Sequence, residues 1–258
     1  HADDNAFTNY MAYWNIKKAM EYYQFMKEKK PALFNKLNKK MDLENAYHVW
    51  NSKVDKIYLP VPRESDLVIP QDKNYLTYKD IDLTKYKNQT QVGSMFLDYN
   101  LEQVNKIQVS KQADIMILFF LMEDMFPLDV KKANWNYYEP RTLHDSSLSF
   151  RRACLIDLGP NMKSSDDGIH AASIGGIWQS IVYGFGGVRM LNGNLRIEPK
   201  LPKTWSSLEF KIIWKGQTLN ITVKKDILII ENKTKVKEVT VHIYGNSYNI
   251  IDKFEIKL

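Results

Sequence analysis

The apolar residues of this 258-residue chain change their period once, near residue 187, and that change constrains the fold more than any other feature. Before it, apolar side chains recur three and four residues apart, which lines up one face of a helix. After it they alternate, which lines up one face of a strand. A helical unit over residues 1–187 and a small β domain over 188–258 are therefore expected. Asp3 or Asp4 is placed to cap a helix running to about Lys29, with Phe7, Met11 and Trp14 on one stripe. Pro31 opens a second helix carrying Leu33, Leu37 and Met41. Residues 57–98, broken by Pro60, Pro62 and Pro70, read as a long loop that is functional or wraps a neighbour. Leu101 to Phe126 reads as one helix, buried all round after Ala113 and stopped by Pro127. Shorter helices are expected at Asp129–Trp135, Phe150–Leu158 and Ala171–Tyr183, the last ending at Gly184-Phe185-Gly186-Gly187. Strands are expected at Leu195–Glu198, Leu208–Trp214, Thr218–Val223, Ile227–Glu231, Val236–Tyr244 and Ile250–Ile256.

Charge and cysteine usage narrow the class. The net charge is +6, and residues 187–258 carry all of that excess, with 13 basic against 7 acidic residues. The lysines there alternate with apolar residues, the usual protection of exposed strand edges, and no nucleic-acid module accompanies them. No nucleic-acid partner is expected. Cys154 stands alone, which excludes an intrachain disulfide and favours a reducing compartment; a cytoplasmic location follows as the expectation. The apolar run Ala113–Met122 is far below the roughly 20 residues a membrane helix needs. The chain opens at His1 without a methionine, which reads as a fragment of a longer protein.

Three stretches place polar residues where a plain core would not. Lys111-Gln112-Ala113-Asp114 sets a cation and an amide just ahead of the most apolar helix; the alternative is a solvated first turn with Asp114 answering the helix dipole. His144-Asp145-Ser146-Ser147-Leu148-Ser149 gathers hydroxyls and backbone donors before a helix, which suits an anion; the alternative is an ordinary N-cap. Asp166-Asp167-Gly168-Ile169-His170 leads to Gly175-Gly176, where paired glycines let a ligand or a facing helix approach the backbone. None of these has the spacing of a metal site, and no dinucleotide loop is present, so neither a metal nor an organic cofactor is expected.

Taken in order, these motifs resemble glycoside hydrolase family 65 phosphorylases. The resemblance is carried by Tyr138-Glu139-Pro140, Leu143-His144-Asp145-Ser146-Ser147-Leu148-Ser149, Asp167-Gly168-Ile169-His170, Gly175-Gly176-Ile177-Trp178 and Gly184-Phe185-Gly186-Gly187. It extends to Val109-Ser110-Lys111-Gln112-Ala113-Asp114, to Asp4-Asn5-Ala6-Phe7-Thr8-Asn9 and to Leu195-Arg196-Ile197-Glu198-Pro199. It implies a mainly α chain, the C-terminal part of an (α/α)6 barrel, followed by an antiparallel β domain of jelly-roll or sandwich type. It implies inverting phosphorolysis of an α-linked glucose disaccharide, giving β-glucose 1-phosphate and a free sugar, with inorganic phosphate as co-substrate. Lys111 and Gln112 would hold the glucose unit; His144, Ser146, Ser147, Gly175 and Gly176 would hold phosphate. The general-acid Glu would lie upstream of His1, so no catalytic residue is expected within the chain and the chain alone is expected to be inactive. The missing N-terminal region would be supplied in cis or in trans, and a homo-oligomer is the family expectation. The helix and connector that the family usually carries between Ser149 and Phe150 are lacking. An inverting hydrolase of the same superfamily, or a degenerate carbohydrate-binding chain, are the competing readings.

Overall fold

The computed structural model describes residues 3–87, 93–111, 113–143 and 171–258. The chain divides into two compact units, residues 1–145 and 146–258. The first is helical and the second is built mainly of strands.

Three helices open the first unit: α1 (Ala6–Lys29), α2 (Pro31–Met41) and α3 (Leu43–Lys53). The cap of α1 is Asn5 rather than Asp3 or Asp4: its side-chain oxygen accepts from the Thr8 N–H at 3.0 Å. An N-cap must satisfy an amide that has no partner inside the helix, and Asn does so as well as Asp. Phe7 and Met11 face the core, but its buried line is Ala6 and Tyr10, and Trp14 is exposed. Tyr23 of α1 closes a smaller cluster with Phe34 of α2 and Leu43 of α3, and stacks on Tyr47 at 4.4 Å.

The long loop does wrap a neighbour. Tyr10 and Asn9 of α1 donate to the carbonyls of Pro60 and Tyr58 at 2.9 Å each, and Val68, Ile69 and Tyr75 enter the core. Short helical turns interrupt it, among them α4 (Thr84–Lys87).

The helix expected from Leu101 to Phe126 breaks. Only α5 (Leu101–Val104) and α6 (Asp114–Leu121) are regular, with a 3₁₀ turn at Glu123–Met125. Between them the described backbone is irregular and is tied to two other segments: Lys79 N–H donates to Lys106 O at 3.0 Å, Gln108 N–H to Lys79 O at 2.9 Å, and Ser110 N–H to Arg141 O at 2.9 Å. Ile107 and Val109, both β-branched, suit this course better than a helix. Nor is α6 buried all round: Ile115, Leu118 and Phe119 are buried, whereas Ile117, Phe120 and Leu121 are exposed. The last helix of the unit, α7 (Leu128–Tyr138), begins after Pro127 as expected and packs Val130 and Tyr138 into the core.

In the second unit α8 (Ala171–Gln179) passes into a wider π turn, Ser180–Phe185. Eight strands follow: β1 (Val188–Leu191), β2 (Asn194–Ile197), β3 (Ser207–Trp214), β4 (Gln217–Lys224), β5 (Ile227–Asn232), β6 (Val239–Ile243), β7 (Asn246–Ile250) and β8 (Lys253–Lys257). They form two four-stranded sheets, ordered β1-β2-β6-β7 and β3-β4-β5-β8. Leu195, Ile197, Val241 and Ile243 of one sheet share a core with Leu219, Ile221, Leu228 and Ile230 of the other, as in a sandwich. Two details depart from expectation. The β2–β6 pair is parallel. The stretch expected as one strand, Ile250–Ile256, splits between β7 and β8 in different sheets, because Ile251 and Asp252 carry the chain across. The expected helix Phe150–Leu158 lies outside the described residues.

Candidate functional site

One end of the helical unit draws together three parts of the sequence that lie far apart. The start of α1 is fixed there by the Ala6 N–H, which donates to Gln71 O at 2.8 Å, and by the Lys73 N–H, which donates to Asp3 O at 2.9 Å. Gln71 also uses its side chain, whose oxygen accepts from the Ser110 hydroxyl at 3.3 Å. Ser110 then pairs with Thr142 in a parallel bridge. Its N–H donates to Arg141 O and its carbonyl accepts from the Leu143 N–H, both at 2.9 Å.

Because the bridge is parallel, the chain leaves Ser110 and Thr142 in the same direction. From one exit comes Lys111, exposed; from the other comes Leu143. Lys111 and Leu143, 32 residues apart in sequence, thus depart side by side. The bridge is itself held from behind. Gln108 donates to Tyr78 O at 2.9 Å and accepts from the Tyr137 hydroxyl, while Thr142 donates to Tyr138 O at 2.8 Å.

Asp114 stands at the start of α6, where a carboxylate complements the helix dipole. It is half-buried, and the loss of water pushes its pKa up, partly offset by the Asn5 amide, whose nitrogen donates to it at 3.5 Å. Asn5 thereby does two things: it caps α1 and it meets the carboxylate that opens α6. The folded state holds the proton of Asp114 more tightly than the unfolded chain does. Its contribution to stability is therefore greatest at acid pH and falls as pH rises from the ordinary carboxylate value through the raised one. Asp114→Asn is expected to flatten that fall in urea-denaturation curves measured across mildly acidic pH.

Of the residues singled out from sequence, Lys111 joins this constellation. Gln112, His144, Ser146 and Ser147 lie outside the described residues, as do Cys154 and Asp166 to His170. Gly175 and Gly176 lie in α8 of the second unit, and a methyl group added to either would meet nothing within 4 Å among the described residues. A glycine inside a helix costs about 1 kcal/mol relative to alanine, so packing within the described residues gives no reason for this pair. Sequence reasoning missed Gln71 and the Ser110–Thr142 bridge. They sit in irregular backbone, where no period marks a residue. Among the described residues no group of three or more His, Cys, Asp or Glu is arranged to hold a metal ion, and no helix is long and apolar enough to cross a membrane.

A helical unit followed by a two-sheet β unit is the architecture of the described residues, and comparison with known proteins places the chain in a class of carbohydrate-active proteins. Residues 1–152 match the glycosyl hydrolase family 65 central catalytic domain and residues 188–250 match the family's C-terminal domain; the chain belongs to glycosyl hydrolase family 65. It is 36% identical over 275 residues to the kojibiose phosphorylase of Halothermothrix orenii, a match covering 97% of this chain and 35% of that protein. It is 35% identical over 248 residues to the alpha,alpha-trehalose phosphorylase of Thermoanaerobacter brockii, covering 88% and 32% respectively. A solved chain assigned as a kojibiose phosphorylase from human microbiome superposes with a TM-score of 0.81 at 28% identity, covering 98% of this chain and 37% of that one. The chain spans about a third of the length of the curated relatives it matches.

Proposed function

We propose that this chain is the C-terminal part of an inverting α-glucoside phosphorylase and supplies its glucose and phosphate contacts. The observation that carries the reading is the parallel Ser110–Thr142 bridge, which sends out in the same direction Lys111 and Leu143, the residue that precedes the His144-Asp145-Ser146-Ser147 motif in sequence. Lys111 and Gln112 would hold the transferred glucose. His144, Ser146 and Ser147 would bind phosphate through hydroxyls, an imidazole and backbone N–H groups, donors of the kind that suit an anion. Gly175 and Gly176, which packing among the described residues does not demand, would present bare backbone to it. The attacking phosphate is its own nucleophile, so the protein need supply only the proton donor; a hydrolase needs a second carboxylate as base. That donor, by the family resemblance, lies in sequence preceding His1. No metal or organic cofactor enters this scheme, and the substrate pair is an α-glucosyl disaccharide with inorganic phosphate. The names of the relatives favour kojibiose and trehalose among candidate disaccharides.

The test is glucose 1-phosphate formation from kojibiose, trehalose, nigerose and maltose, by this chain alone and by the chain joined to its native upstream sequence. Phosphate-dependent product from the extended protein alone is expected. In that protein Lys111→Ala is expected to cut kcat/KM by about a hundredfold or more, the usual scale for a lost charge-assisted contact to a reacting substrate. Glucose release independent of phosphate would identify a hydrolase instead. Binding without turnover in either form would identify a carbohydrate-binding chain.

A further inference from the structure

We propose that a cleft built entirely within the β unit, lined by Lys200, Lys203, Trp205, Lys224, Lys225 and Tyr244, binds a phosphorylated monosaccharide; the choice of a sugar as the body of the ligand rests on the reading above. The cleft has a volume of about 310 Å³, at the lower end of small-molecule sites. Its cations come from two places in the sequence. Lys200 and Lys203 lie in the connection between β2 and β3, Lys224 ends β4, and Lys225 opens the turn to β5. All four are exposed, and none has a carboxylate partner among the described residues. Other lysines of the unit behave differently: Lys233 and Lys253 pair with Glu231, and Lys235 pairs with Asp252. Glu198 and Asp226, neighbours in sequence, do not line the cleft. Lysines that only guard strand edges need not gather. Four of them round one concavity, with no acidic side chain in its lining, set up a positive potential that draws in an anion.

The rest of the wall selects the body of the ligand. Pro199, Leu201, Pro202 and the half-buried indole of Trp205 make one side of it apolar. That side is held in place. The Trp205 N–H donates to Pro202 O at 3.0 Å, and its ring packs on Phe185 at 5.0 Å. The Tyr244 hydroxyl donates to Pro199 O at 2.7 Å. Tyr244 has φ +46° at the turn before β7, a left-handed conformation that glycine or asparagine takes at less cost. The turn alone does not call for a tyrosine; the bond that fixes Pro199 does. A bare phosphate would leave this apolar side uncovered, and a neutral sugar would leave the lysines unanswered. A pyranose carrying a phosphate, with close to two negative charges at neutral pH, answers both. Its C–H face lies on the indole while its phosphate oxygens accept from the lysine ammonium groups.

Glucose 6-phosphate titrated calorimetrically into the chain joined to its native upstream sequence tests this, because its phosphate sits on O6 and is not the one the proposed reaction forms. Saturable binding that weakens with added salt is expected. Lys203→Glu and Lys224→Glu change one exposed lysine from each part of the cleft, so folding is not at stake. Each is expected to weaken binding about tenfold or more. Trp205→Phe is expected to weaken it about three- to tenfold. No saturable binding, or binding indifferent to both lysine variants, overturns the proposal. So does inorganic phosphate or a single-stranded oligonucleotide bound as tightly through the same lysines, which would make the cleft a general anion patch. Binding sensitive to the two lysines in a protein that performs no phosphorolysis would remove the functional reading and leave the site standing. Phosphorolysis without such binding would do the reverse.

Discussion

Gly187→Ala is expected to destabilise the β unit by on the order of 3 kcal/mol or more. Gly187 has φ +65°, and a Cβ there would lie 2.0 Å from the Glu198 carbonyl oxygen and 2.2 Å from its carbon. A left-handed backbone alone costs a non-glycine residue about 1 kcal/mol. The clash adds more, because the obstacle is backbone and cannot rotate aside. Nor can the segment retreat: the Glu198 N–H donates to Gly187 O at 3.0 Å, and the Lys200 N–H donates to Phe185 O at 2.9 Å. These bonds set the register in which Val188 faces Ile197. Urea denaturation monitored by tryptophan fluorescence checks the value. Gly175→Ala supplies the contrast: with no described atom within 4 Å of an added methyl group and no positive φ, it is expected to stabilise α8 by about 0.5–1 kcal/mol. If both substitutions cost the same, the steric account of Gly187 is wrong.

Asn134→Ala is expected to cost about 2–4 kcal/mol, although it removes a polar residue from a hydrophobic core. Asn134 is fully buried. Its oxygen accepts from the Ile69 N–H at 2.9 Å, and its nitrogen donates to Leu67 O and to Val130 O at 2.8 Å each. Truncation leaves the buried Ile69 N–H and the part-buried Leu67 carbonyl without their partner and opens a small cavity. Asn134→Asp keeps the acceptor but points a charge at two carbonyls, and is expected to be no better. The effect should also reach the candidate site, since Ile69 leads in two residues to Gln71, which holds both the start of α1 and Ser110. Hydrogen exchange at Ala6 and Ser110, whose amides bond to Gln71 O and Arg141 O, is therefore expected to quicken in Asn134→Ala.

Periodic elements were the legible part of this molecule. Pro31–Met41 and the strands from Ser207 to Asn232 follow their apolar spacing closely, because each buries one face against a single core. The failures share a cause. Between Asn105 and Ala113 local preference was outweighed by hydrogen bonds from Lys79 and Arg141, partners 27 or more residues away that no window of sequence contains. Ile251 and Asp252 look like the middle of a strand, yet they carry the chain from one sheet to the other, a decision made by the twist of the whole sandwich. At the site, Lys111 was legible because a charge beside an apolar helix is conspicuous. Gln71 was not, because an amide in a loop shows its purpose only when both of its partners have arrived. Gly186 and Gly187 were recognisable as a motif; only the structure shows that Phe210 and Glu198 leave them no room for a side chain.

The Ser110–Thr142 bridge also bears on how such a chain tolerates change in length. Everything from Lys111 to Arg141, including α6 and α7, is an excursion that departs from one member of the bridge and returns beside the other. Residues added or lost in its exposed turns, for instance near Glu123–Met125, alter the size of the excursion but leave its two feet where they are. The distance between Lys111 and Leu143 is therefore decoupled from the number of residues that separates them, and drift in the intervening sequence has room to alter the outer surface without retuning what stands at its base.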